Sequence, residues 1–215
     1  MVRMGKKVRE VHMAWGKNFM RAGRQALLGV DWGDNCLSLV AVDGHPAKDW
    51  RLSLSEQESW QGETNPSAAL ARAWRRSASR VRRVAVAAPD HSVWQQVMVL
   101  DARLQGEDLH FQIGLRLRDQ LPWDLSQVSW DYAGHDTHEA PHANGTSYAV
   151  CAVPLSDLQP MLDWVRAADL MPWVVDVQAH ALQRWSEHAQ RLVPGRAHAP
   201  ASPLAMGLAL RRFVA

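Results

Sequence analysis

Val84 to Ala88 is an unbroken run of five small apolar residues, VAVAA, and it narrows the choice of fold more than any other stretch. A strand of that kind has no polar face to turn to water. Both faces must be covered, as in a central strand lying between layers of helix. The chain before it fits that picture. Leu27 to Trp32 and Cys36 to Val42 are short apolar runs broken by Gly33-Asp34-Asn35, and Asp43-Gly44 turns into a strand-like segment from Lys48 to Leu54. These three segments predict an antiparallel meander. A polar loop from Ser55 to Asn65 is expected next, and Pro66 opens an Ala/Arg-rich helix from Ala68 to Arg80.

Past Pro89-Asp90-His91 the pattern changes. Val93 to Leu100 is strand-like, and Glu107 to Leu121 carries apolar residues at helical spacing and stops at Pro122. Val128 to Tyr132 and Ser147 to Val153 read as strands joined through a His/Pro/Asn-rich excursion from Gly134 to Gly145. Pro154 to Leu170 is a helix with Leu158, Met161, Leu162 and Val165 on one face, Trp173 to Val177 a strand, and Ala179 to Gln190 a helix. A Pro/Gly/Ala/Ser linker from Val193 to Ser202 leads to a last apolar stretch, Leu204 to Leu210. The expected fold class is therefore α/β, a mixed sheet flanked by helices, interrupted by a strand–helix–strand–strand α+β insert. The domain reading is a basic, frayed extension over 1–24, a core from 25–91 and 171–215, and an inserted subdomain over 92–170.

Composition excludes several classes of function. No apolar run approaches the roughly 20 residues that span a bilayer, and the N-terminus lacks the apolar core and cleavage site of a secretory signal. Cys36 and Cys151 both sit in apolar runs and read as buried thiols in a reducing compartment, so a cytoplasmic location is expected. The net charge of +2 hides an asymmetry. Residues 1–24 hold seven basic groups against the single acid Glu10, which leaves −4 for the remainder and gives little footing for nucleic acid. Eleven tryptophans against two tyrosines and three phenylalanines supply large apolar surfaces, for a core or for lining a groove.

Chemistry-bearing motifs are few. In Gly29-Val30-Asp31-Trp32-Gly33, glycine lets hairpin amides approach a phosphate, and an aspartate at a strand end can hold a cation or a water. His135, His138 and His142, with Asp136 and Glu139, lie in one Pro/Gly-rich loop with nothing to fix their rings, and no metal is expected there. No nucleophile elbow occurs. Arg75, Arg76, Arg80, Arg82 and Arg83 form a basic cluster that is either a solvated face or a seat for acidic groups.

In order and spacing, several blocks resemble the PilM family of type IV pilus assembly proteins, a branch of the actin-like ATPase superfamily. LLGVDWGDNCLSLVAVDG resembles the superfamily's phosphate-1 hairpin. Leu121-Pro122-Trp123 ahead of Val128 and Asp131, Ala168 to Asp176, and Ala205 to Arg211 resemble further family motifs. The resemblance implies an actin-like (ribonuclease-H-like) core, with Asp31 and Gly33 as a vestigial phosphate hairpin. Two departures stand out. Asp34 occupies the place of the usual phosphate-contacting Ser or Thr. The chain also passes from the helix ending near Gln190 to the closing apolar stretch without a second nucleotide lobe. Half a clamp cannot order a triphosphate against water, so no catalytic residue and no cofactor are expected.

The resemblance further implies a cytoplasmic adaptor, peripheral on the inner membrane, for the tail of a bitopic PilN-type membrane protein and other pilus platform proteins, with self-association left open. Its binding groove is expected between core and insert, formed by Trp94, Pro122, Trp123 and Trp130 with Asp131 as polar anchor. Three other readings stand beside it: a type II secretion platform component of the GspL type, a nucleotide-dependent actin-like ATPase, and a DNA-uptake or competence factor.

Overall fold

Three residues suffice to turn the chain between its first two strands, β1 (Leu28–Trp32) and β2 (Cys36–Gly44). The Gly33 N–H donates to the Cys36 carbonyl at 3.0 Å, and a Cβ on Gly33 would stand 2.7 Å from that oxygen, so only glycine fits the turn. The structure, a computed structural model, describes residues 26–44, 50–134, 145–193 and 202–211. The expected N-terminal extension, the histidine-bearing loop and most of the Val193–Ser202 linker fall outside these residues.

β3 (Trp50–Ser59) completes the meander and runs further than expected. Ser55 to Ser59, anticipated as loop, pairs with β2 as far as Ser59 opposite Cys36. The reason is tertiary. Glu56 and Glu58 on β3 take salt bridges of 2.6–2.8 Å from Arg72 and Arg76 on α1 (Ser67–Arg76), which holds a polar strand in the sheet. Part of the expected basic cluster thus meets acids of its own chain. Asn65 accepts from the Ser67 N–H to start α1, and α1 stops at Arg76, short of the expected Arg80, with Ala78 at φ +53 just beyond it.

β4 (Arg83–Ala88) lies parallel to β1, and β8 (Met171–Val177) lies parallel to β4. With the two-residue strand β9 (Leu192–Val193), the main sheet has the order β8-β4-β1-β2-β3-β9. Val84 to Ala88 are all buried, as a doubly covered strand must be. One face meets α1 and α3 (Leu155–Ala167), where Leu28, Val30, Val84 and Val86 pack with Leu70, Ala73, Leu158, Leu162 and Val165. Burying each of these larger side chains contributes about 1.5–3 kcal/mol. The other face meets α4 (Gln178–His188) and α5 (Pro203–Leu210), where Ala85, Ala87 and Val174 touch Ala181 and Leu208, and Val40 and Val42 touch Ala205 and Ala209. α5 is apolar all round and sits pressed into the molecule, with every residue from Ala205 to Leu210 buried.

The insert holds β5 (Trp94–Asp101), α2 (Gly106–Gln120), β6 (Val128–Gly134) and β7 (Gly145–Pro154), its antiparallel sheet ordered β5-β7-β6. That is the expected strand–helix–strand–strand block, with an earlier end. The expected subdomain over 92–170 would include α3, yet the apolar stripe of α3 packs on the main sheet. α2 already covers one face of the small sheet through Leu109, Ile113 and Leu117. The main sheet is the surface left for α3.

The two thiols part company. Cys151 is buried, whereas Cys36, expected to be buried, is exposed, because it opens β2 at the rim of the sheet directly after the turn. Among the described residues no helix is long and apolar enough to cross a membrane, and no group of three or more His, Cys, Asp or Glu is placed to hold a metal.

Candidate functional site

β1 carries Asp31 to the end of the main sheet, where the side chain is half-buried. Asp31 Oδ2 accepts a hydrogen bond from Ser202 Oγ at 2.5 Å. Ser202 is the N-cap of α5, and its hydroxyl oxygen accepts in turn from the Ala205 N–H at 3.3 Å. The hairpin tip is held from β3 and the residue after it. Trp60 Nε1 donates to the Gly33 carbonyl at 3.1 Å, and the Trp60 N–H and Ser59 Oγ both donate to the Asn35 carbonyl. Asp34 points its carboxylate into solvent.

Beneath α5 lies a charged centre that sequence reasoning did not single out. Asp176 on β8 is 2.9 Å from Arg184 Nη2 of α4 and 3.9 Å from Arg211 Nε, the residue that caps α5. Arg184 Nη1 also donates to the Gly207 carbonyl at 2.8 Å, and the Val177 N–H donates to Asp176 Oδ1. Burial pulls the Arg211 pKa down while the facing Asp176 opposes it, and burial lowers that of the nearby His180. One signal was available. Arg184 falls three residues after Ala181 on the inward stripe of a helix, where a cation needs a buried acid.

The five residues expected to line a groove are dealt onto different surfaces. In the small sheet Trp94 and Trp130 both lie opposite Ala152, so they share the face that α2 covers. Trp130 stacks on His110 of α2, ring centroids 4.3 Å apart, and packs with the insert's own core. Asp131 pairs with Cys151 on the opposite face, the one that turns toward the main core. Pro122 is exposed and Trp123 half-buried in the connection after α2, where Asp124 caps the next turn by accepting from the Ser126 N–H.

Asp131's face is divided. At one end Cys151 and Val153 are sealed into the core under the main sheet. Further along β5, Val97 and Val99, opposite Ala149 and Ser147, remain 46% and 37% exposed. The result is an apolar strip beside the junction, with a carboxylate on the same face. β5 pairs with β7 alone among the described strands, so its other edge is open.

A family model described as type IV pilus assembly protein PilM matches residues 57–204. A solved structure titled as a PilM-PilN type IV pilus biogenesis complex is similar at 20% identity with a TM-score of 0.61, over 76% of this chain and 50% of that one. The cytoplasmic domain of EpsL, an inner membrane component of the type II secretion system of Vibrio cholerae, aligns at 16% identity with a TM-score of 0.48. That second alignment covers 73% of this chain and 59% of the other. No curated protein sequence matches the chain. The chain thus spans about half the length of the solved pilus relative it resembles.

Proposed function

Because the chain belongs to the PilM family of type IV pilus assembly proteins, we propose that it is a non-catalytic adaptor of the pilus platform. In this reading it works on the cytoplasmic side of the inner membrane and binds the cytoplasmic tail of a bitopic PilN-type protein. The observation that carries the reading is the apolar strip of Val97 and Val99 on the core-facing side of the insert, with Asp131 on the same face and an open β5 edge. An extended tail laid along β5 gains main-chain hydrogen bonds from the edge and places alternate side chains against the valines. The solved relative is a PilM-PilN complex, which supports the choice of partner. The short link between α4 and α5 supports the non-catalytic part of this reading, since no second nucleotide lobe is inserted between these two helices. Pro122 and Trp123, in the α2–β6 connection, stand at the β6 side of the small sheet, away from the β5 edge, and are not part of this strip. Trp94 and Trp130, facing α2, serve it by keeping the small sheet rigid.

Calorimetry with a synthetic N-terminal peptide of a PilN-type protein tests this. A modest contact of this kind predicts micromolar affinity, about −8 kcal/mol. Val97→Glu should weaken it by about 1–3 kcal/mol, because it sets a carboxylate against an apolar side chain. Absence of binding by folded wild-type protein overturns the adaptor reading. Equal affinity for a folded Val97→Glu variant moves the site elsewhere.

A further inference from the structure

An actin-like fold implies a nucleotide whose phosphates rest on the first hairpin, so the residues present there must be asked whether they fit one. They do not. Asp31 would have to offer its carboxylate to a cation or water, yet Oδ2 accepts from Ser202 Oγ. The Gly33 N–H donates to the Cys36 carbonyl, which takes one amide of the hairpin away from any phosphate. The Gly33 carbonyl receives Trp60 Nε1, which fixes the tip in that closed turn. Asp34 adds a second carboxylate at the rim, opposed to any polyphosphate.

We infer that the β1–β2 hairpin has become the anchor of α5 in place of a phosphate cradle, with Asp31 as the acceptor that fixes the Ser202 cap. The hydrogen count is consistent. A serine hydroxyl has one proton to give and lone pairs to receive, and Ser202 gives to Asp31 while receiving the Ala205 N–H. The electrostatics agree as well, because Asp31's carboxylate lies at the positive end of the α5 dipole. Gly29 supplies an independent argument from space. A Cβ there would stand 2.0 Å from the Ala205 carbonyl oxygen and 2.8 Å from the Ala209 nitrogen. The glycine that would let a backbone approach a ligand instead lets the first turns of α5 lie directly on β1.

The test combines nucleotide titration and melting of the full chain. Wild-type protein titrated with MgATP and MgADP to millimolar concentration should give no saturable heat and no rise in melting temperature. Ser202→Ala and Asp31→Ala should each lower the melting temperature by about 2–4 °C. The double variant should fall no further than the worse single variant, since both remove the same bond. Hydrogen exchange should quicken in α5 in all three. Saturable MgATP binding lost in Asp31→Ala would overturn the inference, and so would fully additive losses in the double variant. If Asp31→Ala does not fold, the milder Ser202→Ala still decides, because unchanged melting and unchanged α5 exchange would sink the anchor. PilN-type peptide binding by Ser202→Ala should stay at the wild-type level, so failure here is distinguishable from failure of the adaptor reading.

Discussion

Arg184 and Asp176 meet at 2.9 Å with both side chains almost wholly withdrawn from water, 7% and 1% exposed. The pair joins β8 to α4, and through the Arg184 bond to the Gly207 carbonyl it also holds α5. With Arg211 at 3.9 Å, the same buried carboxylate faces two guanidiniums. Removing the acid strands cations in the interior, which costs far more than the pair itself contributes.

Asp176→Ala should therefore destabilise the protein by about 3–5 kcal/mol, read as a lower urea midpoint. Asp163→Ala, which breaks the exposed bridge from Arg166 one turn away on α3, should cost no more than about 0.5 kcal/mol. A similar loss for both would mean that the interior charge is not what matters.

The thiols should separate in reactivity and in pH dependence. Burial pushes the Cys151 pKa up to about 12, with Asp131 and Asp176 adding to the effect. A group whose pKa rises on folding stabilises the fold below its unfolded value, about 8.5, and that contribution is lost as pH climbs toward the folded value. Wild type should accordingly lose stability between about pH 9 and 12 relative to Cys151→Ala. At pH 8 a thiol reagent should label exposed Cys36 in the native protein and reach Cys151 only on unfolding.

Three glycines predict opposite signs for one kind of substitution. At Gly207 a Cβ would lie 1.8 Å from the Ala181 carbonyl oxygen, and at Gly29 it would meet the Ala205 oxygen. Alanine at either position should cost about 3 kcal/mol or more, since α5 must lift off its neighbours. Gly114, inside α2, has its nearest neighbour, Trp130 Cζ2, at 3.6 Å, an ordinary contact. Gly114→Ala should gain up to about 1 kcal/mol from lower backbone entropy in the unfolded chain. Thermal melts of the three variants decide the ranking.

The doubly covered β4 and the Gly33–Asn35 turn were legible because local pattern alone dictates them. The outer half of β3 was not, because Glu56 and Glu58 become strand residues only once Arg72 and Arg76 arrive from another element. A helix's apolar stripe is visible in sequence, while the surface it will meet is not, hence the misplaced end of the insert. The proposed groove residues teach a different lesson. Trp130 and Asp131 are adjacent in a strand and must point to opposite faces, so the pleat alone forbids them one surface. Val97 and Val99 lay inside a stretch, Val93 to Leu100, that read only as strand-like. The bond between Asp31 and Ser202 joins residues 171 positions apart, and nothing local in either segment announces it.

That separation also sets an order of assembly. β1 finds β2 almost at once and β4 once the chain has reached Ala88, but its partner α5 emerges only when nearly all of the described chain has left the ribosome. Until then Gly29, Val40 and Val42 lack the cover that α5 provides on one side of a nascent sheet. The nascent chain is therefore most vulnerable to clumping in the interval before α5 is made. A ribosome stalled before Ser202 would leave that side bare, and the chain would then depend on a chaperone for its solubility.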